Sequence, residues 1–177
     1  MQRLRTVSLL LGGLLAAFGQ VASGQSGSIL AQAHVPTSRI TVAGVTGLRF
    51  GNIFPGTLRA IDPQTSPGAG RFEIRGGEGA EFELALVLPS ELRSDTSSAV
   101  MPIRFGPRAG CHRDGVQPVD CQYYDPAVTL TARLPSTGGR DGVFSVWLGG
   151  TVEPAPDQVP GPYTGFATAT VAYTAND

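Results

Sequence analysis

GRFEIRGGEGAEFELALVLP, residues 70–89, is the stretch whose reading decides the fold. Phe72 and Ile74 point one way, with Glu73 and Arg75 beside them on the other. A GGEG turn signal follows at 76–79. Then Phe82, Leu84, Leu86 and Leu88 take one face while Glu81 and Glu83 take the opposite one. Apolar residues recur every second position, the period of a half-buried strand and not of a helix. Glu81 and Glu83 could in principle serve as a carboxylate pair. Their alternation with Phe82 and Leu84 instead predicts a charged outer face.

The same period recurs outward from this stretch. Val128, Leu130, Ala132 and Leu134 alternate with Thr129, Thr131 and Arg133. Phe144, Val146 and Leu148 alternate with Ser145 and Trp147. Ala167, Ala169, Val171 and Tyr173 alternate with Thr168 and Thr170, and Ile40 and Val42 lead into LRFGNIF. Turn signals separate the runs at 55–57, 66–70, 136–142 and 154–162. Residues 90–99, SELRSDTSSA, are the best helix candidate, of a turn or two at most. Seven or eight short strands in roughly 150 residues predict an all-β, immunoglobulin-like antiparallel β-sandwich.

Composition agrees with one folded domain. The chain has 177 residues, with Gly 24 and Pro 14 together making roughly a fifth, below the roughly 25–30 % of a low-complexity chain. All 13 basic residues are Arg, against 14 acids, for a net charge of −1. That balance gives no electrostatic footprint for nucleic acid. The absence of Lys excludes Schiff-base chemistry and a Lys phosphate clamp.

Residues 1–24 read as a signal peptide. Arg3 and Arg5 form a basic start, VSLLLGGLLAAF (7–18) an apolar centre, and the small residues to Gly24 a cleavage region. Cleavage is placed after Ser23 or Gly24, with AQA before His34 as a second site. Removing the leader leaves 11 Arg against 14 acids, a net charge of −3. No later stretch is apolar enough to span a bilayer, so the expected location is the periplasm, cell surface or medium. In that oxidising setting Cys111 and Cys121, the only cysteines, are expected to pair and close a loop. A metal site using His112 is the other reading, although two Cys and one His leave the sphere incomplete.

Catalytic signals are sparse. G-x-S-x-G and G-x-x-x-x-G-K-[ST] are absent. The only imidazoles are His34 and His112, and the HRD string at 112–114 stands without any other kinase element. No catalytic residue, metal ligand or cofactor is expected. A hydrolase would require His112 in a pocket beside a Ser and a carboxylate. Trp147 and the tyrosines are either a sugar-binding platform or packing.

Four segments carry a family resemblance: LRFGNIFPGT (48–57), GRFEIRGGEGAEFELALVLPSEL (70–92), MPIRFGP (101–107) and FSVWLGGTVEPAPDQVPGPYTGFATATVAYT (144–174). Their order and spacing resemble the secreted bacterial family known as domain of unknown function 4402. The matching positions are Leu48, Phe50, Gly51 and Ile53; Phe72, Ile74 and Gly76; Leu88 and Pro89; Gly149, Gly150 and Thr151; and Gly161, Tyr163, Gly165 and Tyr173. That family is similar in layout to subunits of chaperone–usher fimbriae and to spore-coat-type secreted proteins. The resemblance implies a pilin-like, incomplete sandwich over 39–177. Its missing strand would come from the N-terminal extension of another subunit, here residues 25–38. In that extension Ile29, Ala31, Ala33 and Val35 alternate with Leu30, Gln32 and His34. The chain stops three residues after Thr174, as such a subunit would. Expected partners are the chain itself or related subunits, and a periplasmic chaperone. The competing expectation is a monomeric, adhesin-like module binding a glycan or protein through the Cys111–Cys121 loop.

Overall fold

The computed structural model describes residues 39–136, 138 and 141–174. Residues 1–24, read as a signal peptide, and the extension carrying Ile29, Ala31, Ala33 and Val35 lie outside the described residues. Those described form an all-β, sandwich-like arrangement of antiparallel sheets, consistent with an immunoglobulin-like fold. Thirteen strands are formed among them, more than the seven or eight expected, because several runs bend and pass from one sheet to another.

The first sheet contains β1 (Thr41–Thr46), β3 (Gly70–Gly76), β10 (Gly142–Leu148), β7 (Gly110–Asp114) and β8 (Gln122–Tyr124), in that order. A three-stranded sheet of β13 (Thr168–Tyr173), β4 (Glu81–Val87) and β9 (Leu130–Arg133) packs against it. The core between them is Ile74, Phe82, Leu84, Leu134, Phe144 and Val146, with Phe82 and Phe144 meeting edge to face. The register is the one predicted: Leu84 is buried and its neighbour Glu83 exposed. Glu81 is ion-paired with Arg133 at 3.4 Å and Glu83 faces solvent, so the two carboxylates do lie on the outer face. Phe72, Leu86 and Leu88 are half-buried, toward the ends of the strand pair.

The second five-stranded sheet has the order β12 (Tyr163–Thr164), β5 (Glu91–Ser94), β6 (Val100–Arg104), β11 (Gly150–Val152) and β2 (Arg59–Ile61). β10 runs almost directly into β11, and only Gly149 lies between them. Strands that change sheets this way make the corners of a sandwich. A Cβ at Gly149 would overlap the carbonyl oxygen of Ile61 and press on Pro63. The bend therefore needs glycine.

Two expectations are corrected, and one strand is buried beyond what its alternation shows. Residues 90–99 form no helix; Glu91–Ser94 is a strand and the Ser/Thr-rich remainder is a turn into β6. Their side chains bond their own backbone, as Ser94 Oγ does with the N–H of Thr96 and Ser97, which competes with helix formation. Val128 does not belong to the strand that its alternation with Leu130 and Ala132 suggested; it is 62 % exposed, because Asp125 starts a turn there that ends before β9. Finally, β10 is buried on both faces: Ser145 is 0 % and Trp147 5 % exposed. The loop closed by the cysteines lies over the face that alternation assigned to solvent.

Candidate functional site

The residues singled out from the sequence separate into two regions. Cys111 and Cys121 are bonded, with Cα atoms 5.7 Å apart. Cys111 lies opposite Trp147 on one side and Tyr123 on the other in the strand ladders. Trp147 packs on the disulfide, so its indole is packing and not an open platform. The loop over this face is tied down by Arg71, which donates to the Val116 carbonyl at 3.1 Å, and by Arg113, which donates to that of Val119. No cluster of three or more potential metal ligands occurs among the described residues.

His112 points to the opposite face. Its ring stacks on Phe144 at 5.4 Å and meets Tyr124 edge-on at 5.6 Å. Burial pushes its pKa below 6.5, opposed in part by the Asp114 carboxylate. This His is an aromatic packing element. Burial likewise pushes the Tyr124 hydroxyl up.

One polar cluster escaped the sequence reading. The Tyr123 hydroxyl lies 3.0 Å from Gln64 Oε1 and 3.2 Å from an Asp62 carboxylate oxygen, while Arg108 sits 4.3 Å from the ring centre. Burial would raise the Asp62 pKa, but hydrogen bonds from the Thr65 and Gln64 N–H groups, the Thr65 hydroxyl and Tyr123 together hold it low. The ring face is covered by Arg108, so the cluster ties residues 62–65 to β8.

The second region is an open groove of about 1040 Å³. Its position follows from the fold. The second five-stranded sheet presents Met101, Ile103 and Val152, but the segment covering them, Leu48, Phe50 and Ile53, is irregular and forms no ladder. Side chains from a sheet meet side chains from a loop, and the layer between them stays incompletely filled. β6 and Leu92 of β5 line the groove, residues 44–53 form one wall, and residues 158–167 form the other. Phe166, at 88 % exposure, stands at the opening. Among the described residues of the lining, Arg49 alone is charged.

Most of the residues that carry the sequence resemblance gather around this groove. Phe50, Gly51, Tyr163 and Gly165 line it. Gly51 has φ 72°, in the left-handed region. A Cβ on Gly165 would stand 2.8 Å from Leu92 Cδ2, so the backbone there passes directly over the floor. Gly149 and Gly150 make the bend from β10 into β11. Tyr163 donates to the Val159 carbonyl at 2.7 Å. Tyr173 lies elsewhere: its hydroxyl accepts from the Gly77 N–H at 2.8 Å.

The groove also lies at a seam. β1 pairs with β3 alone and β13 with β4 alone among the described residues, so both are sheet edges. They run alongside each other with no ladder between them. At one end they close together: Ile40 and Tyr173 both press on Gly76. At the other end Gly44–Thr46 and Phe166–Ala167 stand on the two sides of the groove. No protein-family model matches the chain, and no curated protein is similar to it.

Proposed function

We propose that this chain is an exported structural subunit of a fimbria-like or coat-like surface assembly, polymerising by donor-strand exchange. The observation that carries this reading is the open groove lined by Gly44–Thr46 of β1, by Met101 and Ile103 of β6, and by Phe166 and Ala167, which lead into β13. Two strands that each have a ladder on one side only among the described residues, beside apolar side chains, offer what an extended segment needs: backbone groups and a surface for alternate side chains.

The occupant is residues 26–38 of another copy. That segment carries no Asp, Glu or Arg, which suits a groove holding a single charge. About a dozen residues at roughly 3.3 Å each reach roughly 40 Å, enough to span a sheet edge. Ile29 and Val35 are the large side chains of the alternating face. Ile40, which leads into β1, lies at the closed end of the seam, so an extension of the same chain would have to double back along β1 to fill the groove. Donation to a neighbour avoids this and gives a head-to-tail contact, the kind that builds open filaments. Export through the signal peptide and, before assembly, a periplasmic chaperone in the groove complete the reading. The disulfide fits an extracytoplasmic location.

The test is electrophoresis of the purified mature chain in detergent with and without heating. Wild type should give a heat-labile ladder. I29D and V35D should abolish it while keeping the disulfide, because each buries an unpaired carboxylate in an apolar site. A wild-type chain that stays monomeric at high concentration would refute the reading and leave a monomeric, adhesin-like module for a glycan or protein.

A further inference from the structure

Residues 154–162, PAPDQVPGP, form the strap that walls the groove on one side. Four of its nine residues are Pro, which have no N–H to give to a ladder. Its side chains hold it weakly: from 154 to 162 only Pro154 and Gln158 turn inward, and the rest are exposed. Gln158 uses its whole amide. Its Nε2 donates to the Val100 carbonyl at 3.1 Å and to the Tyr163 hydroxyl at 2.7 Å. Its Oε1 accepts from the Ala155 N–H at 3.2 Å. Tyr163 passes the chain on to the Val159 carbonyl at 2.7 Å. One side chain thus ties the strap to β6, to β12 and to itself.

We propose that Gln158 is the positioning residue of the groove: its amide clasps the strap against β6 and β12 and so fixes the width of the site that receives a strand. This rests on the strand-accepting reading given above. A Pro-rich segment already has few conformations to lose. The Gln158 network adds to the backbone bonds that the Gly56 N–H makes to the Pro154 and Ala155 carbonyls and the Asp95 N–H to that of Pro162, and together they hold it in a single place. The groove is preformed, and an incoming strand does not have to order its wall.

The experiment uses the full mature chain carrying I29D, so that its own extension does not compete, and a fluorescein-labelled peptide of residues 26–38. Gln158→Met keeps the length of the side chain and removes all three hydrogen bonds. It should weaken peptide binding at least about tenfold, the lower end of the loss expected from two or three net hydrogen bonds. Tyr163→Phe should act in the same direction. The double variant should bind no worse than Gln158→Met, since the two belong to one network. Hydrogen exchange of the same proteins without peptide gives a readout independent of binding. The Gln158 N–H, which donates to the Ala155 carbonyl, and the Gly56 N–H, which donates to the Pro154 and Ala155 carbonyls, should exchange faster in Gln158→Met. Amides of β10 should not change. Peptide binding unchanged by Gln158→Met, or strap protection unchanged, would overturn the proposal. Absent binding by the I29D parent, with faster strap exchange in Gln158→Met, would sink the strand-accepting reading while keeping the clasp.

Discussion

Replacing both cysteines by alanine should lower stability by about 3–4 kcal/mol. The bond closes a loop with a sequence separation of 10. In the chain-entropy treatment a loop of that size constrains the unfolded state by about 2.7 kcal/mol. The native state adds a smaller contribution. Cys111 is fully buried and Cys121 nearly so, both against Trp147. Losing two sulfur atoms there opens a small void, at about 1 kcal/mol. The fold should survive, because Arg71 and Arg113 still bond the Val116 and Val119 carbonyls and β7–β8 pairing does not depend on the bond. Trp147 is the one tryptophan of the chain and lies beside the bridge, so its fluorescence reports the transition directly. With a urea slope of about 2 kcal/mol/M for a domain of this size, the midpoint should fall by about 1.5–2 M. The slope itself should rise, because the unfolded chain expands. A double variant with the wild-type midpoint would refute the reasoning. So would two free thiols in the unreduced, denatured protein.

Leu84→Ala should cost about 2–5 kcal/mol, since Leu84 is 1 % exposed in the core between the sheets. Glu83→Gln, one residue away on the outer face, should cost under about 0.5 kcal/mol; equal costs in urea titrations would show the faces wrongly assigned. For His112, burial holds the folded pKa below 6.5, so the unfolded chain takes up the proton first. Its contribution to stability is therefore complete above pH 6.5 and is lost as pH falls toward the folded value. His112→Phe keeps a ring beside Phe144 and should flatten the pH dependence of the urea midpoint in that window; an unchanged slope would refute the assignment.

The strands around residues 70–89 were legible because one of their faces is buried and the other wet. Period two then appears directly in the letters, and Leu84 and Glu83 fall where it puts them. The pattern failed at β10, where Trp147 and Ser145 alternate with Val146 and Leu148 but are equally buried. Alternation assigns the second face to solvent by default. Here a disulfide loop more than twenty residues earlier lies over it, a long-range contact that a local period does not carry. The Ser/Thr run at 94–98 misled in the opposite direction: its side chains cap turns between two strands, and long-range pairing, with Pro102, Met101 and Val100 on one side and Tyr163 and Thr164 on the other, makes Glu91–Ser94 a strand.

The groove was the least legible feature, for a physical reason. Its lining residues are ordinary core types, and Met101 and Ile103 alternate with Pro102 as in any half-buried strand. What leaves space above them is the irregular backbone of residues 47–53 opposite. That segment is held by single bonds such as the one from the Arg49 N–H to the Gly68 carbonyl at 2.8 Å. A second strand there would supply a side chain every second residue at regular spacing and fill the layer, as β4 and β13 do above Ile74 and Val146. Gly47 and Gly51 contribute no side chain to it. The sequence marks the place only through glycine spacing in LRFGNIF and the later G-x-Y-x-G. Those two segments lie more than a hundred residues apart, and β1 and the residues leading into β13 bring them to opposite sides of one opening.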